Sequence, residues 1–85
     1  MTPIQDVLHR IQWDPEFGNA RFMIGYYDRL DDRIVRVPFQ QVHLARGEHF
    51  SFDVVDEDGT TRMVPFHRVR EVWRNGVLIW QRKGA

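Results

Sequence analysis

The chain has 85 residues, equal numbers of basic and acidic side chains, and no cysteine. This length leaves room for one core, so we expect one domain over residues 1–85. The lack of cysteine excludes disulfides, thiolate metal sites and a cysteine nucleophile. The start of the chain shows no signal peptide, and no apolar run approaches the roughly 20 residues that span a bilayer. We therefore expect a cytoplasmic protein without membrane contact.

The charges are unevenly distributed along the chain. Residues 62–85 hold six basic side chains against Glu71 alone, whereas residues 1–61 hold six basic and eleven acidic side chains. The basic final quarter is compatible with an anion site. It is equally compatible with cross-strand pairing that neutralises the neighbouring strands.

The first predicted element is a helix that ends near Gln12 or Trp13. Thr2 is suited to cap it, Pro3 to occupy its first position and Gln5 to complete a capping box. One face carries the apolar residues Ile4, Val7, Leu8 and Ile11 at helical spacing. Pro15 disfavours helical geometry at the residue before it, so we expect residues 14–19 to form a loop.

Strand patterns follow the loop. Residues 21–28 and 34–39 predict a hairpin, with Pro38 indicating a strand end or a sheet edge. Residues 40–48 fit either a helical turn or a crossing loop. Residues 50–55 and 62–66 predict two further strands joined by a turn at 56–60, where Gly59 suits a left-handed conformation.

The last predicted element is a hairpin within residues 65–82. Asn75 and Gly76 favour a type I′ two-residue turn. A regular ladder from that turn pairs Arg74 with Val77 and continues to Val69 with Arg82. Both faces of this hairpin are partly apolar, so we expect cover on both sides near its middle. The predicted class is α+β: one N-terminal helix on a curved, mainly antiparallel sheet of about five to six strands.

Several polar side chains are candidates for chemistry. His67 is suited to donate to a phosphate or to act as an acid or base, and the alternative is a histidine that caps strand backbone. Tyr26 or Tyr27 is suited to stack on a base, and Arg29 is suited to bind a phosphate with two parallel hydrogen bonds. Asp28 and Arg29 are equally able to pair with other charges at their turn.

The tryptophans point mainly to packing. A chain this small needs its large aromatic side chains in the core, which favours packing for Trp73 and Trp80. Trp13 similarly suits a place beneath the end of the helix, and Asp14 suits a turn cap or an arginine partner. Metal sites and common catalytic motifs are not indicated, because the histidines lack ligand spacing and residues 54–65 lack the end residues of a calcium loop.

An ordered set of residues carries a resemblance over nearly the whole chain: Leu8, Arg10, Ile11, Trp13 and Asp14; Ile24, Gly25, Tyr26, Asp28 and Arg29; Val37, Pro38 and Phe39; residues 65–69; and Gly76, Trp80 and Arg82. This set resembles the domain of unknown function 504, also called the RNA cyclic-group-end recognition domain. The resemblance implies recognition of RNA ends with a 2′,3′-cyclic phosphate, without an activity or cofactor of the domain's own, and a place beside RNA-processing proteins. The site residues it implies are Trp13, Asp14, Tyr26, Asp28, Arg29, His67, Arg68, Trp80 and Arg82.

Three functions are therefore open. The first is a non-catalytic RNA-binding module in which Arg68, Arg29 and Arg82 contact the terminal phosphate. The second is a small phosphodiesterase or nuclease that uses His67 with Asp28. The third is an interaction or structural domain in which the same polar residues form a buried network. If a site exists, we expect its residues to meet at the end of the last hairpin away from its turn.

Overall fold

A computed structural model describes residues 2–45, 47 and 50–83. It contains two helices and seven strands. The helices are α1 (Ile4–Trp13) and α2 (Pro15–Gly18). The strands are β1 (Phe22–Asp28), β2 (Arg33–Pro38), β3 (Val42–His43), β4 (Ser51–Val55), β5 (Thr61–Pro65), β6 (Val69–Arg74) and β7 (Val77–Gln81). Single 3₁₀ turns precede β3 and β6, at Phe39–Gln41 and Phe66–Arg68.

Helix α1 begins one residue later than the predicted capping box requires. Pro3 is the N-cap, with φ −60° and ψ 142°, and among the described residues no side chain caps the helix. The prediction of Thr2 as the cap is therefore wrong, because the extended backbone at Pro3 keeps it outside the helix. The predicted end is confirmed: Trp13 is the last helical residue, and Asp14 is extended before Pro15.

The residues after α1 form a short second helix rather than a loop. The Asp14 carboxylate accepts hydrogen bonds from the backbone N–H groups of Glu16 (3.1 Å) and Phe17 (3.3 Å). Pro15 occupies the first helical position, where its missing N–H group costs nothing. Asp14 followed by Pro15 is therefore the start of a helix, and the prediction of a loop over residues 14–19 is wrong.

The strands pair antiparallel in two sheets, with the orders β2-β1-β6-β7 and β3-β4-β5. The α+β class, the N-terminal helix and the terminal hairpin are confirmed, while the strands number seven and divide between two sheets. Pro38 ends the edge strand β2, as predicted, and Gly59 has a φ of 88° in its turn. Strand β3 lies in the segment that the sequence left undecided, of which residues 46 and 48 are outside the described residues.

The register of the last hairpin changes two pairs beyond its turn. Arg74 pairs with Val77 and Trp73 with Leu78, as predicted. A bulge then makes Val72 pair with Trp80 instead of with Ile79. The regular ladder is therefore wrong from this point, and the shift brings Trp80 onto the same face as Val72.

One hydrophobic core joins both sheets and α1. Its central members are the fully buried Leu8, Ile24, Val54, Val69 and Val72. The expectation that the last hairpin is covered on both faces holds for β6, where the adjacent Glu71 and Val72 are buried, but not for β7, whose side chains before Trp80 are exposed. The core therefore lies on one face of the four-stranded sheet.

Candidate functional site

A cleft forms where the end of β1 meets β5 and the 3₁₀ turn that precedes β6. Its lining residues are Tyr26, Tyr27, Asp28, Arg29, Leu30, Arg62, Met63, Val64 and Arg68, and we call it the arginine cleft. Its volume is about 150 Å³, which is space for about five water molecules. The structure thus brings together four predicted site residues that are up to 42 positions apart in the chain, from Tyr26 to Arg68.

Asp28 holds the shape of this cleft. One carboxylate oxygen accepts hydrogen bonds from the backbone N–H groups of Leu30 (2.9 Å) and Asp31 (3.3 Å). The other lies 3.5 Å from a guanidinium nitrogen of Arg62, whose Nε is 3.8 Å from Asp56. The Asp28 side chain is only 11% exposed, so its charge is largely compensated inside the protein.

Two arginines of the cleft are unpaired within residues 2–45, 47 and 50–83. Within the described part of the chain, neither Arg29 nor Arg68 forms a hydrogen bond or an ion pair. Arg62 is shared between two carboxylates and is half-exposed. The cleft therefore offers two unpaired guanidinium groups beside a third that is held in place, which is an arrangement suited to an anion.

Tyr26 offers the arginine cleft very little exposed surface. It is 5% exposed and belongs to the hydrophobic core. Burial raises the pKa of its hydroxyl, and the adjacent Arg62 opposes this only in part. The hypothesis that Tyr26 stacks on a base is contradicted, because neither face of a ring in the core is open to a ligand. Its protonated hydroxyl remains a possible hydrogen-bond donor.

His67 and Arg82 lie in a second cleft, on the other side of the 3₁₀ turn from Arg68. This cleft of about 300 Å³ is also lined by Pro3, Ile4, Gln5, Phe50 and Phe66. The backbone carbonyl of His67 accepts hydrogen bonds from the guanidinium groups of Arg82 (2.8 Å) and Arg70 (2.9 Å). Both arginines thereby fix the turn that carries Arg68. Because His67 and Asp28 line different clefts, they do not form an acid–base pair.

The remaining predicted site residues are dispersed. Trp80 is 7% exposed and its indole N–H donates to the carbonyl of Thr2 at 2.7 Å. Trp13 is 57% exposed at the end of α1, so the expectation that it packs beneath the helix is wrong. Asp14 caps α2, and the hydrogen bond from the Phe17 N–H is the main cause that lowers its pKa. None of these three residues lines the arginine cleft.

Sequence reasoning missed four residues of the arginine cleft: Leu30, Arg62, Met63 and Val64. Arg62 arrives on β5, while Leu30 and Met63 are apolar side chains that are 95% and 68% exposed. Two exposed apolar residues that flank a cationic cleft are suited to contact a sugar or base. The sequence offered one indication of these residues: Met63 follows Arg62 in a predicted strand. It did not show which side of that strand faces solvent.

Fold and cleft together define a small α+β domain with an arginine-lined cleft. The chain belongs to the MJ1316 RNA cyclic group end recognition domain family, whose sequence model matches residues 1–82. No curated protein and no solved structure gave a significant match. In the described residues, no helix is long and apolar enough to cross a membrane.

Proposed function

We propose that residues 1–85 act as one non-catalytic RNA-binding module that recognises a phosphorylated or 2′,3′-cyclic-phosphate RNA end in the arginine cleft. The observation that carries the proposal is the convergence on one small cleft of Arg29 and Arg68, neither of which has a partner among the residues that the structure describes. The family name, which describes recognition of cyclic RNA ends, supports the same ligand.

The arrangement suits a phosphate, and the cleft of about 150 Å³ is too small for a whole nucleotide. A guanidinium group presents parallel N–H donors that match the oxygens of a phosphate. Asp28 anchors Arg62 and so keeps a third cation at the cleft without leaving an exposed negative charge. The hydroxyl of Tyr26 would donate to a phosphate oxygen or to a ribose hydroxyl.

The second cleft has a supporting place in this proposal. Through the carbonyl of His67, Arg82 and Arg70 hold the 3₁₀ turn on which Arg68 is mounted. We keep the imidazole of His67 and the side chains of Trp13, Asp14 and Arg82 as predicted contacts for the neighbouring part of the RNA, whereas Trp80 is buried and bonded to the Thr2 carbonyl. A cytoplasmic location and an RNA-processing protein partner complete the proposal. They rest on the context that the family resemblance implies.

The test is a fluorescence-anisotropy titration with three oligonucleotides that differ only in a 2′,3′-cyclic phosphate, a 3′-phosphate or a 3′-hydroxyl end. We expect the two phosphate-bearing ends to bind more tightly. Arg68→Ala should weaken them about tenfold, because a hydrogen bond to a charged group is worth about 1.5–3 kcal/mol. Equal affinity for the three ends would refute end recognition.

A matched control removes an arginine from the opposite end of β1. Arg21 precedes this strand and Arg29 follows it, so the two lie about 20 Å or more apart. Arg21→Ala changes the net charge by the same amount as Arg68→Ala and should leave the preference among the three ends intact. Recovery of the cyclic end unchanged after incubation is expected for a module without catalysis, and its opening to a monophosphate would contradict that part of the proposal.

A further inference from the structure

The four-stranded sheet has an outer face that does not contribute to the hydrophobic core. Along β1, Phe22, Ile24 and Tyr26 belong to the core, whereas the alternate residues Met23 and Tyr27 do not. The residues that define this outer face are Met23, Tyr27, Arg36, Arg70 and Trp73, and we call it the open face. They come from β1, β2 and β6, the three strands at the middle and one edge of the sheet.

Two aromatic rings on the open face each lie beside a guanidinium group. The Arg36 guanidinium is 5.9 Å from the centre of the Trp73 ring, and that of Arg70 is 5.7 Å from the centre of the Tyr27 ring. Trp73 pairs with Met23 across the ladder, four residues before Tyr27 on β1. The two rings are therefore about 13 Å apart along the strand. Aromatic rings interleaved with arginines are the usual platform for single-stranded nucleic acids.

Between the two rings, Gly25 contributes no side chain, and the negative charge of Glu71 is neutralised by Arg36. Glu71 lies directly across Gly25, where a Cβ atom would come within 2.6 Å of the glutamate side chain. The carboxylate accepts hydrogen bonds from Arg36 Nε at 2.5 Å and from the Trp73 indole N–H at 3.1 Å, and the residue is 8% exposed. Arg70 adds a positive charge beside the Tyr27 ring, and the Tyr27 hydroxyl donates a hydrogen bond to the Asp32 carboxylate.

We propose that the open face binds the single-stranded segment of RNA that adjoins the recognised end, with bases stacked on Trp73 and Tyr27. The inference rests on the proposed function, because Tyr27 also lines the arginine cleft and so makes the two surfaces continuous. RNA is favoured over a second protein copy by the paired rings and guanidinium groups. The apolar edge strand β7 borders the same face, so the test includes self-association as an outcome.

The test of the open face uses oligonucleotides that carry no terminal phosphate. We expect a hexanucleotide with a 3′-hydroxyl end to bind more tightly than a dinucleotide with the same end. Trp73→Ala should weaken the hexanucleotide about tenfold, as the loss of one base stack requires, and should leave the dinucleotide nearly unchanged. Trp73→Phe is the matched variant: it also loses the indole hydrogen bond to Glu71 but keeps a ring, so it should retain most of the affinity.

The outcomes separate this inference from end recognition. If the three ends bind equally but the dependence on length and on Trp73 persists, end recognition fails and the open face stands. If Trp73→Ala does not weaken the binding of the hexanucleotide, the proposal for the open face is overturned, whatever the result for the three ends. A dimer in sedimentation velocity that Trp73→Ala dissociates also overturns it, because the face would then be occupied by a second copy.

A measurement on the unmodified protein covers the case in which the alanine variant does not fold. The indole N–H signal of Trp73 in an NMR spectrum should shift on addition of the hexanucleotide. The signal of Trp80, which is buried and bonded to the Thr2 carbonyl, is the internal reference and should stay in place. A Trp73 signal that does not move overturns the proposal.

Discussion

At the scale of single residues, Glu71 shows how a buried charge is accommodated in a small sheet. Burial acts to raise its pKa, but the hydrogen bonds from Arg36 and Trp73 outweigh this and keep the pKa below its usual value. The hydrogen bond to Glu71 and the charge of that carboxylate in turn raise the pKa of Arg36. The carboxylate has room only because Gly25 presents no Cβ atom beneath it. One glycine, one carboxylate and two donors therefore form an interdependent group.

Gly25→Ala should destabilise the protein by about 1–3 kcal/mol, the usual cost of forcing extra volume into a packed site. The new Cβ atom would lie 2.6 Å from Cγ and Oε1 of Glu71, so the glutamate must leave its partners or the strand must shift. Urea unfolding measures the change. In a Glu71→Ala background the added cost of Gly25→Ala should shrink to a few tenths of a kcal/mol, and an unchanged cost would contradict this account.

Residue identities alone indicated part of the candidate site. Tyr26, Asp28, Arg29 and Arg68 were singled out from the sequence, and the structure places all four at one cleft. Arg62 was not singled out, because its role depends on two sheets meeting, and no local pattern reports such a meeting. The function of the cleft remains a prediction until the RNA ends are compared.

At the scale of secondary-structure elements, the bulge in the last hairpin decides which side chains enter the core. Asn75 and Gly76 have φ angles of 49° and 80°, the positive values that a type I′ turn requires. The turn and the first two pairs were therefore predictable. The bulge two pairs later adds one residue to β7, exposes Ile79 and buries Trp80.

This arrangement predicts an unequal effect of two neighbouring substitutions. Trp80→Ala should lower the free energy of unfolding by about 3–5 kcal/mol, because it removes a buried aromatic side chain. Ile79→Ala should cost about 1 kcal/mol or less, since Ile79 is 41% exposed. Chemical unfolding followed by circular dichroism gives both values. Equal costs, or a larger cost at Ile79, would indicate the regular register instead of the bulged one.

At the scale of the whole molecule, stabilised carboxylates lie in three separate places. Asp14 caps α2, Asp58 accepts from the Thr60 N–H at 2.9 Å in the turn before β5, and Glu71 lies on the sheet. Hydrogen bonds hold the pKa of each below its usual value, which is 3.8 for the two aspartates and 4.5 for the glutamate. The folded state thus prefers these groups ionised more strongly than the unfolded chain does.

Stability should therefore fall in acid. The contribution of a carboxylate with a lowered pKa is fully present above its unfolded pKa and is lost as the pH falls through its folded pKa. We expect the free energy of unfolding to decrease progressively below pH 4.5, the usual pKa of the glutamate. Glu71→Gln should make this decrease less steep in urea titrations at a series of pH values. An identical slope for the variant would show that Glu71 is not stabilised as an anion.

The sequence by itself determined the elements whose signals are local: the stripe of α1, the end of that helix before Pro15, and the Asn75–Gly76 turn. It also carried enough ordered residues to indicate the family. The tertiary structure alone decided the bulge that buries Trp80, the division of the strands into two sheets, and the separation of His67 from Asp28. Local signals act over a few residues, through backbone preference and side-chain period. The cleft and the open face depend instead on which strands pair, and pairing is set by the burial of the whole core.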